Sequence, residues 1–506
     1  MAFFALLAVF LMWPVPAHLS TQVPGTSTWA FDESTFLWNN WYFRHALLDL
    51  HASPLHSNLI WYPLGIDLIL YTFNFTNAGL ALPLQLAANL PLASNVTLLL
   101  ATTLSGLGAY LLARDVLRRP DRQLPAILAA LLAGVIYAAG SNRAIYLALG
   151  HYNMASTAWL AFYTLYLLKL LREPARKNAV LAGLFFALAG LTDLIFAAFL
   201  ALLSLLIVLL IWPEWRGDGR EPPRTGRAAG AALTRLGLAA LVAVLLLSPV
   251  LVPTAAELAN GGYALKGWGD SLNLSADLAG LVTPTDLNPL IAPPAAPLTT
   301  PAAPGERPGW QAELRAVAEG KGRFTDINTV FLGYVTLGLA LLGALLPATR
   351  RRARLFAGSA LVFGLLCLGP LLQIGGRYRF SFDNLLPDGV TVPLPFILVH
   401  YIPVLNANRA ANRFSTVLML CLAVLAALGA WWLLDRLAGA RRGGSVIAVP
   451  ALAALLAVAL VGEHLAVPLP TVAATVPEIY RQIAAEPGDF SILQLPLGWR
   501  NSFETY

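Results

Sequence analysis

Residues 414–434 read FSTVLMLCLAVLAALGAWWLL, without one charged side chain. A helix needs about 20 apolar residues to cross the ~30 Å hydrocarbon layer of a bilayer. Inside that layer only a helix or a closed barrel satisfies its own peptide groups, and this run lacks the strict alternation of a barrel strand. The rest of the chain has the same character: 506 residues, 58% hydrophobic and 12% charged, with a mean hydropathy of +0.67. Soluble domains carry about a quarter charged residues, so lipid is the expected solvent for most of this chain.

Working outward from that run, spanning helices are predicted at Ala2–Val15, Asn95–Ala113, Ala126–Ala139, Ala155–Leu171, Ala179–Leu191 and Leu194–Trp212. Five more follow at Leu236–Val252, Val330–Leu346, Leu355–Ile374, Phe414–Leu434 and Val446–Val461. The expected fold class is therefore an all-α polytopic membrane protein with about eleven spans. Residues 1–462 form the membrane domain, with outer loops 17–94 and 257–328.

Alternate loops collect the basic residues, from Arg114/Arg118/Arg119/Arg122 through Lys169/Arg172 and Arg350–Arg354 to Arg436/Arg441/Arg442. These loops hold 20 of the 33 Lys and Arg but 7 of the 27 acids. The positive-inside rule makes them cytoplasmic, which puts the N-terminus inside a cell membrane and any chemistry on the extracytoplasmic face. The net charge of +6 is thus a topology signal, and no nucleic-acid partner is expected. Cys367 and Cys421 both fall in apolar runs, which speaks against a disulfide or thiolate metal site.

Outer loop 17–94 is rich in Trp and Tyr, and STFLWNNWYFRHALLDL (34–50) is expected to lie as a helix at headgroup depth. The stretch 66–88 is expected to be re-entrant or interfacial, since a full crossing would invert every later loop. Met1 opens onto a short apolar run with no basic flank, unlike a signal peptide, so a shortened start is an open reading. PEIYRQIAAEPGDFSILQLP (477–496) reads as helix, turn at Pro487-Gly488 and strand Phe490–Leu495. Residues 463–506 are accordingly expected to begin an outer α/β domain that the chain cuts short.

Four groups of residues are candidates for chemistry. Asp32 and Glu33 follow the first span; a carboxylate there suits a general base, and equally a helix cap and a dipole partner. Arg143, His151 and Asn153 lie in GSNRAIYLALGHYNMASTAWL (140–160) and can bind a phosphate or orient a hydroxyl, while Asn153 can also cap the next helix. Arg409 and Arg413 in NANRAANRF (406–414), four apart, are expected on one helical face. Cations are disfavoured at a helix N-terminus and on the outer side, so an anionic partner such as a lipid phosphate would relieve both costs. The alternatives are snorkelling to headgroups or pairing with Asp383 or Asp388. Asp193 in GLTDLIF (190–196) is a fourth candidate, or a solvated hairpin tip.

An Asp after the first span, WNNWYFRHALL (38–48), NLIWYPLGIDL (58–68), GHYNMASTAWL (150–160) and ANRFSTVLMLCLAVLAALG (411–429) together resemble bacterial integral-membrane glycosyltransferases of the GT-C superfamily, the polyprenyl-phosphate-sugar-dependent class. The resemblance implies transfer of a sugar from a lipid-linked donor to a glycan, lipid or protein acceptor on the outer face, in cell-envelope glycan or glycoconjugate assembly. It implies Asp32 as the base, with Arg409, Arg413 and His151 around the leaving phosphate. No clean Asp-x-Asp occurs, so a divalent metal is not supported. The competing classes are a transporter or flippase of lipid-linked sugars, which would want two repeated halves, and a non-catalytic assembly protein.

Overall fold

The structure is a computed structural model; it describes all residues except 26–31, 70, 119–122, 217–225, 261–267, 291–328, 383–385, 400, 403–407, 441–444, 489 and 493–506. In chain order the outer segment contributes α1 (Ala2–Leu11), β1 (Gln22–Pro24), α2 (Asp32–Arg44), β2 (His56–Ser57), β3 (Ile66–Asp67) and α3 (Phe75–Ala87). The bundle continues with α4 (Leu90–Leu117), α5 (Gln123–Ala139), α6 (Ser141–Ala148), α7 (Tyr152–Ala155), α8 (Ala158–Arg172), α9 (Arg176–Thr192), α10 (Leu194–Arg216) and α11 (Gly226–Ala259). Then come α12 (Trp268–Asn273), α13 (Tyr334–Leu345), α14 (Arg350–Cys367), β4 (Phe380–Phe382), β5 (Leu386–Val390), α15 (Phe396–Val399), α16 (Ser415–Ala440), α17 (Ser445–Glu463), β6 (Thr471–Ala473) and α18 (Glu478–Ala485).

Helix occupies every stretch predicted to span. Among the described residues, Leu90–Leu117, Gln123–Ala148, Gly230–Glu257 and Ala411–Gly439 are long and apolar enough to cross a membrane. Shorter apolar helices lie at Ala2–Leu11, Leu194–Leu210, Tyr334–Leu345 and Ile447–Glu463. The 414–434 run is the hub: α16 is buried on all sides from Ser415 to Ala430, against α5, α13, α14 and α17. Small residues permit the closest crossing. A Cβ on Gly343 of α13 would lie 2.1 Å from the Leu425 carbonyl oxygen, and one on Gly429 of α16 would lie 2.1 Å from that of Leu339. Helices in lipid associate by such close packing, because apolar burial gives no advantage there. At the periphery, α11 leaves Leu241, Val244 and Leu245 more than half exposed, as a lipid-facing helix would.

Several boundaries differ from the sequence-based ones. Gly333 (φ +84°) holds the predicted Val330 span back to Tyr334, and Gly369 (φ +77°) follows the end of the Leu355 span, whose helix stops at Cys367. The 66–88 stretch divides into β3 and the 13-residue α3, started by Asn74, whose side chain accepts from the Asn77 N–H. Among the described residues three two-stranded pairings accompany the helices, and none was foreseen. In one, β1 pairs antiparallel with β6, Val23 opposite Val472, tying the outer N-terminal segment to the chain after α17. The expected helix near 478 is present as α18, but Phe490–Ile492 form no strand and 493–496 lie outside the described residues.

Candidate functional site

The N-terminus of α2 and the turn after α6 meet at the end of the bundle. Gly150 makes this possible: it takes φ +76°, and a Cβ on it would lie 2.3 Å from the Glu33 nitrogen and 2.7 Å from Glu33 Oε2. Only glycine adopts that conformation cheaply and also lets the α2 backbone approach so closely. The next residue, His151, then places Nε2 2.7 Å from Asp32 Oδ2. Tyr152 donates its hydroxyl to the Pro24 carbonyl at 2.6 Å, and its ring packs on Phe36, 5.7 Å between centroids, clamping α2 from the other side. Farther along α2, Asn39 donates to the Thr72 carbonyl and the Asn40 carbonyl accepts from Gln85 of α3.

Asp32 is 35% exposed and His151 14%. The imidazole lies parallel to the Tyr146 ring at 6.0 Å, and its Nδ1 is buried without a hydrogen-bond partner among the described residues. Partial burial opposes ionisation of Asp32. The hydrogen bond and charge of His151, then the charges of Arg413 and Arg409, outweigh it and hold the carboxyl below its ordinary range. Asp32 is thus a carboxylate at neutral pH, fixed at one oxygen.

The arginines reach the site by a different route from the one expected. Asn408–Ala410 are not helical, Ala410 takes φ −103° and ψ 86°, and Ala411–Phe414 form a 3-10 turn before α16 begins. Arg409 and Arg413 therefore do not share an α-helical face, because Ala410 turns the backbone between them. Arg409 is exposed and Arg413 half-buried, and both still act on Asp32.

No protein-family model and no curated protein matches the chain. Solved structures are similar, and one of them can be described. It is the archaeal oligosaccharyltransferase AglB from Archaeoglobus fulgidus in complex with an inhibitory peptide and a dolichol-phosphate, at 15% identity and a TM-score of 0.49. The likeness covers 92% of this chain and 54% of AglB, so the chain spans about half that protein's length.

Arg143 and Asn153 are turned away from Asp32. Arg143 is buried, donating to the carbonyls of Ala155 (2.9 Å) and Ala138 (3.4 Å) and to the Thr102 hydroxyl, so its guanidinium joins α4, α5 and the end of α7. Asn153 donates to Asp193 Oδ2 at 2.6 Å, while Asp193 Oδ1 accepts from the Ile195 N–H at the start of α10. Asn153 is thus no cap of its own helix, and Asp193 is a hairpin fastener. Two neighbours of the site went unremarked in the sequence: Tyr146, stacked on His151, and Tyr71, which hydrogen-bonds Thr35 and senses the Asp32 charge. Gly150, within the predicted outer hairpin, was the available signal for the turn that brings His151 to Asp32. Among the described residues, no three His, Cys, Asp or Glu side chains are grouped to hold a metal ion.

Proposed function

We propose that the chain is an integral-membrane glycosyltransferase of GT-C type, using a polyprenyl-phosphate sugar on the extracytoplasmic face of a cell membrane that it crosses about eleven times. The observation that carries this reading is one ionised carboxylate, Asp32, oriented by His151 and set among two guanidinium groups at an end of an apolar helical bundle. Transfer needs those parts and few others. The acceptor hydroxyl oxygen attacks the anomeric carbon, Asp32 takes the hydroxyl proton on the oxygen not held by His151, and the bond to phosphate breaks with its electron pair leaving on the phosphate. Arg409 and Arg413 offset the charge that grows there. Glu33, buried against Gly150, is assigned to holding the α2 terminus in place.

The reading is tested with the purified full chain in nanodiscs, a polyprenyl-phosphate sugar and candidate acceptors. Sugar transfer should occur, and Asp32→Asn should abolish it while leaving donor binding intact. Arg409→Ala and Arg413→Ala should weaken donor binding. Movement of the lipid across the bilayer without transfer would reassign the chain to transport, and unchanged turnover in Asp32→Asn would remove Asp32 from the chemistry.

A further inference from the structure

At the opposite end of the bundle from Asp32, a cavity of about 520 Å³ opens between the last turn of α4, the first turns of α5 and the last turn of α8. Helix α4 has 28 residues and so rises about 42 Å, more than the ~30 Å hydrocarbon core, which puts the cavity at the other membrane surface. Its polar wall consists of Arg114, Arg118 and Lys169 around Asp115. Its apolar wall is Leu111, Ala126 and Ile127.

The charges around the cavity do not cancel. Asp115 is held by Arg118 at 2.9 Å and by Arg172, and Arg118 also reaches Glu173 at 3.6 Å. Arg114 donates to the Tyr110 hydroxyl at 3.0 Å, and the Lys169 ammonium rests 5.0 Å from the centre of the Tyr166 ring. Among the described residues neither Arg114 nor Lys169 has a carboxylate partner. Their orientation by aromatic rings keeps both cations at the cavity instead of spread into solvent. Two buried carboxylates elsewhere in the chain are satisfied internally: Asp277 accepts from the Gly375 and Gly376 N–H groups, and Glu463 from Val335 and Thr336.

We infer that this cavity is a binding site for the headgroup of an anionic phospholipid, whose phosphate meets Arg114 and Lys169 while its acyl chains follow Leu111 and Ile127 into the bilayer. A diffuse topology signal needs charge alone. Here excess positive charge, a cavity of headgroup size and an apolar wall at membrane depth occur together, which is the combination that lipid recognition requires. The shared chemistry with a free phosphate is the anion; the apolar wall selects the lipid.

The test uses the full chain extracted from vesicles of equal parts phosphatidylglycerol and phosphatidylcholine, with retained lipids counted by native mass spectrometry. Phosphatidylglycerol should be enriched, and Arg114→Gln with Lys169→Gln should reduce its retention about thirty-fold, as expected for two lost surface charges. Ile127→Trp, which fills the cavity and keeps every charge, should reduce it as well. Arg176→Gln with Lys177→Gln, in the adjoining first turn of α9, should leave it unchanged, and excess inorganic phosphate should not displace the lipid. Equal retention of both lipids, an equal fall in the α9 variant, or displacement by inorganic phosphate would each overturn the inference. All variants are compared at matched thermal stability, and none touches the Asp32 end, so transfer can fail without affecting this result.

Discussion

Asp32 and Asp115 are both carboxylates among basic side chains, at opposite ends of the α4–α5 pair, and they are built for different tasks. Asp115 is 5% exposed and is held by Arg118 and Arg172. Asp32 is 35% exposed, with one oxygen on the His151 imidazole, and the charges of Arg413 and Arg409 help to keep it ionised. A carboxylate committed to two guanidinium groups is a clasp between helices. One held by a single imidazole, under the charges of two arginines, keeps an oxygen available for a proton.

The sharpest way to break this contrast is to neutralise each acid in turn. Asp32→Asn should lower transfer by roughly 10²- to 10⁴-fold, the usual worth of a general base, with unchanged thermal stability and donor affinity. Equal losses from Asp32→Asn and Asp115→Asn would mean that the two ends do not differ in kind. The next effect is positional. Gly150→Ala places a Cβ against the Glu33 nitrogen and strains a left-handed turn, so His151 must move away from Asp32. Turnover should fall about 10²-fold, the cost of an ångström of misplacement, with donor affinity nearly preserved. Steady-state kinetics of the variant at saturating donor would reveal this, and a purely structural role for the turn would instead appear as lower melting temperature with normal turnover of the folded fraction.

A third effect is read in pH profiles. Because cations and the His151 hydrogen bond depress Asp32 in the folded chain, the acid limb of kcat/KM should lie below the ordinary carboxylate value near 3.8. Arg409→Gln with Arg413→Gln removes two of those cations and should move the limb to higher pH. An anionic donor phosphate counters the same charges, so the limb of kcat, which reports the donor-bound state, should also lie above that of kcat/KM. Limbs that coincide in all three measurements would separate the arginines from Asp32.

The bundle was legible because runs such as 414–434 have one physical explanation, and Asp32 drew notice as the first acid after the first span. The contact that makes it a site was not legible. His151 comes from beyond four further helices, α3 to α6, and nothing local marks which of seven histidines will meet which acid. Arg143 and Asn153 looked like surface ligands in a hairpin, yet the hairpin folds inward, where the buried carbonyls of Ala138 and Ala155 and the carboxylate of Asp193 claim them. The arginine pair was misplaced on a helical face because spacing assumes an unbroken helix, and the turn at Ala410 precedes it. The β1–β6 pairing joins residues more than four hundred positions apart, and its three-residue strands are too short for a period-2 signal.

The smallest expected effect falls on the clasp. Replacing Asp115 by Asn removes the charge but keeps an acceptor, so Arg118 and Arg172 lose an ionic partner while retaining a hydrogen-bond partner. Both guanidinium groups are well exposed, at 56% and 39% of their side-chain surface, and water can solvate them in the variant. The loss in stability should therefore be about 1 kcal/mol or less, the range for exposed ion pairs, and should shrink further as salt is raised. Denaturation of the reconstituted chain at low and high ionic strength would measure both. A loss of several kcal/mol, insensitive to salt, would mean that Asp115 is sealed from water and that the α4–α8 end is the more rigid of the two. Sugar transfer should be untouched either way, since this carboxylate lies in the last turn of α4, at the opposite end of the bundle from the one proposed to take the proton.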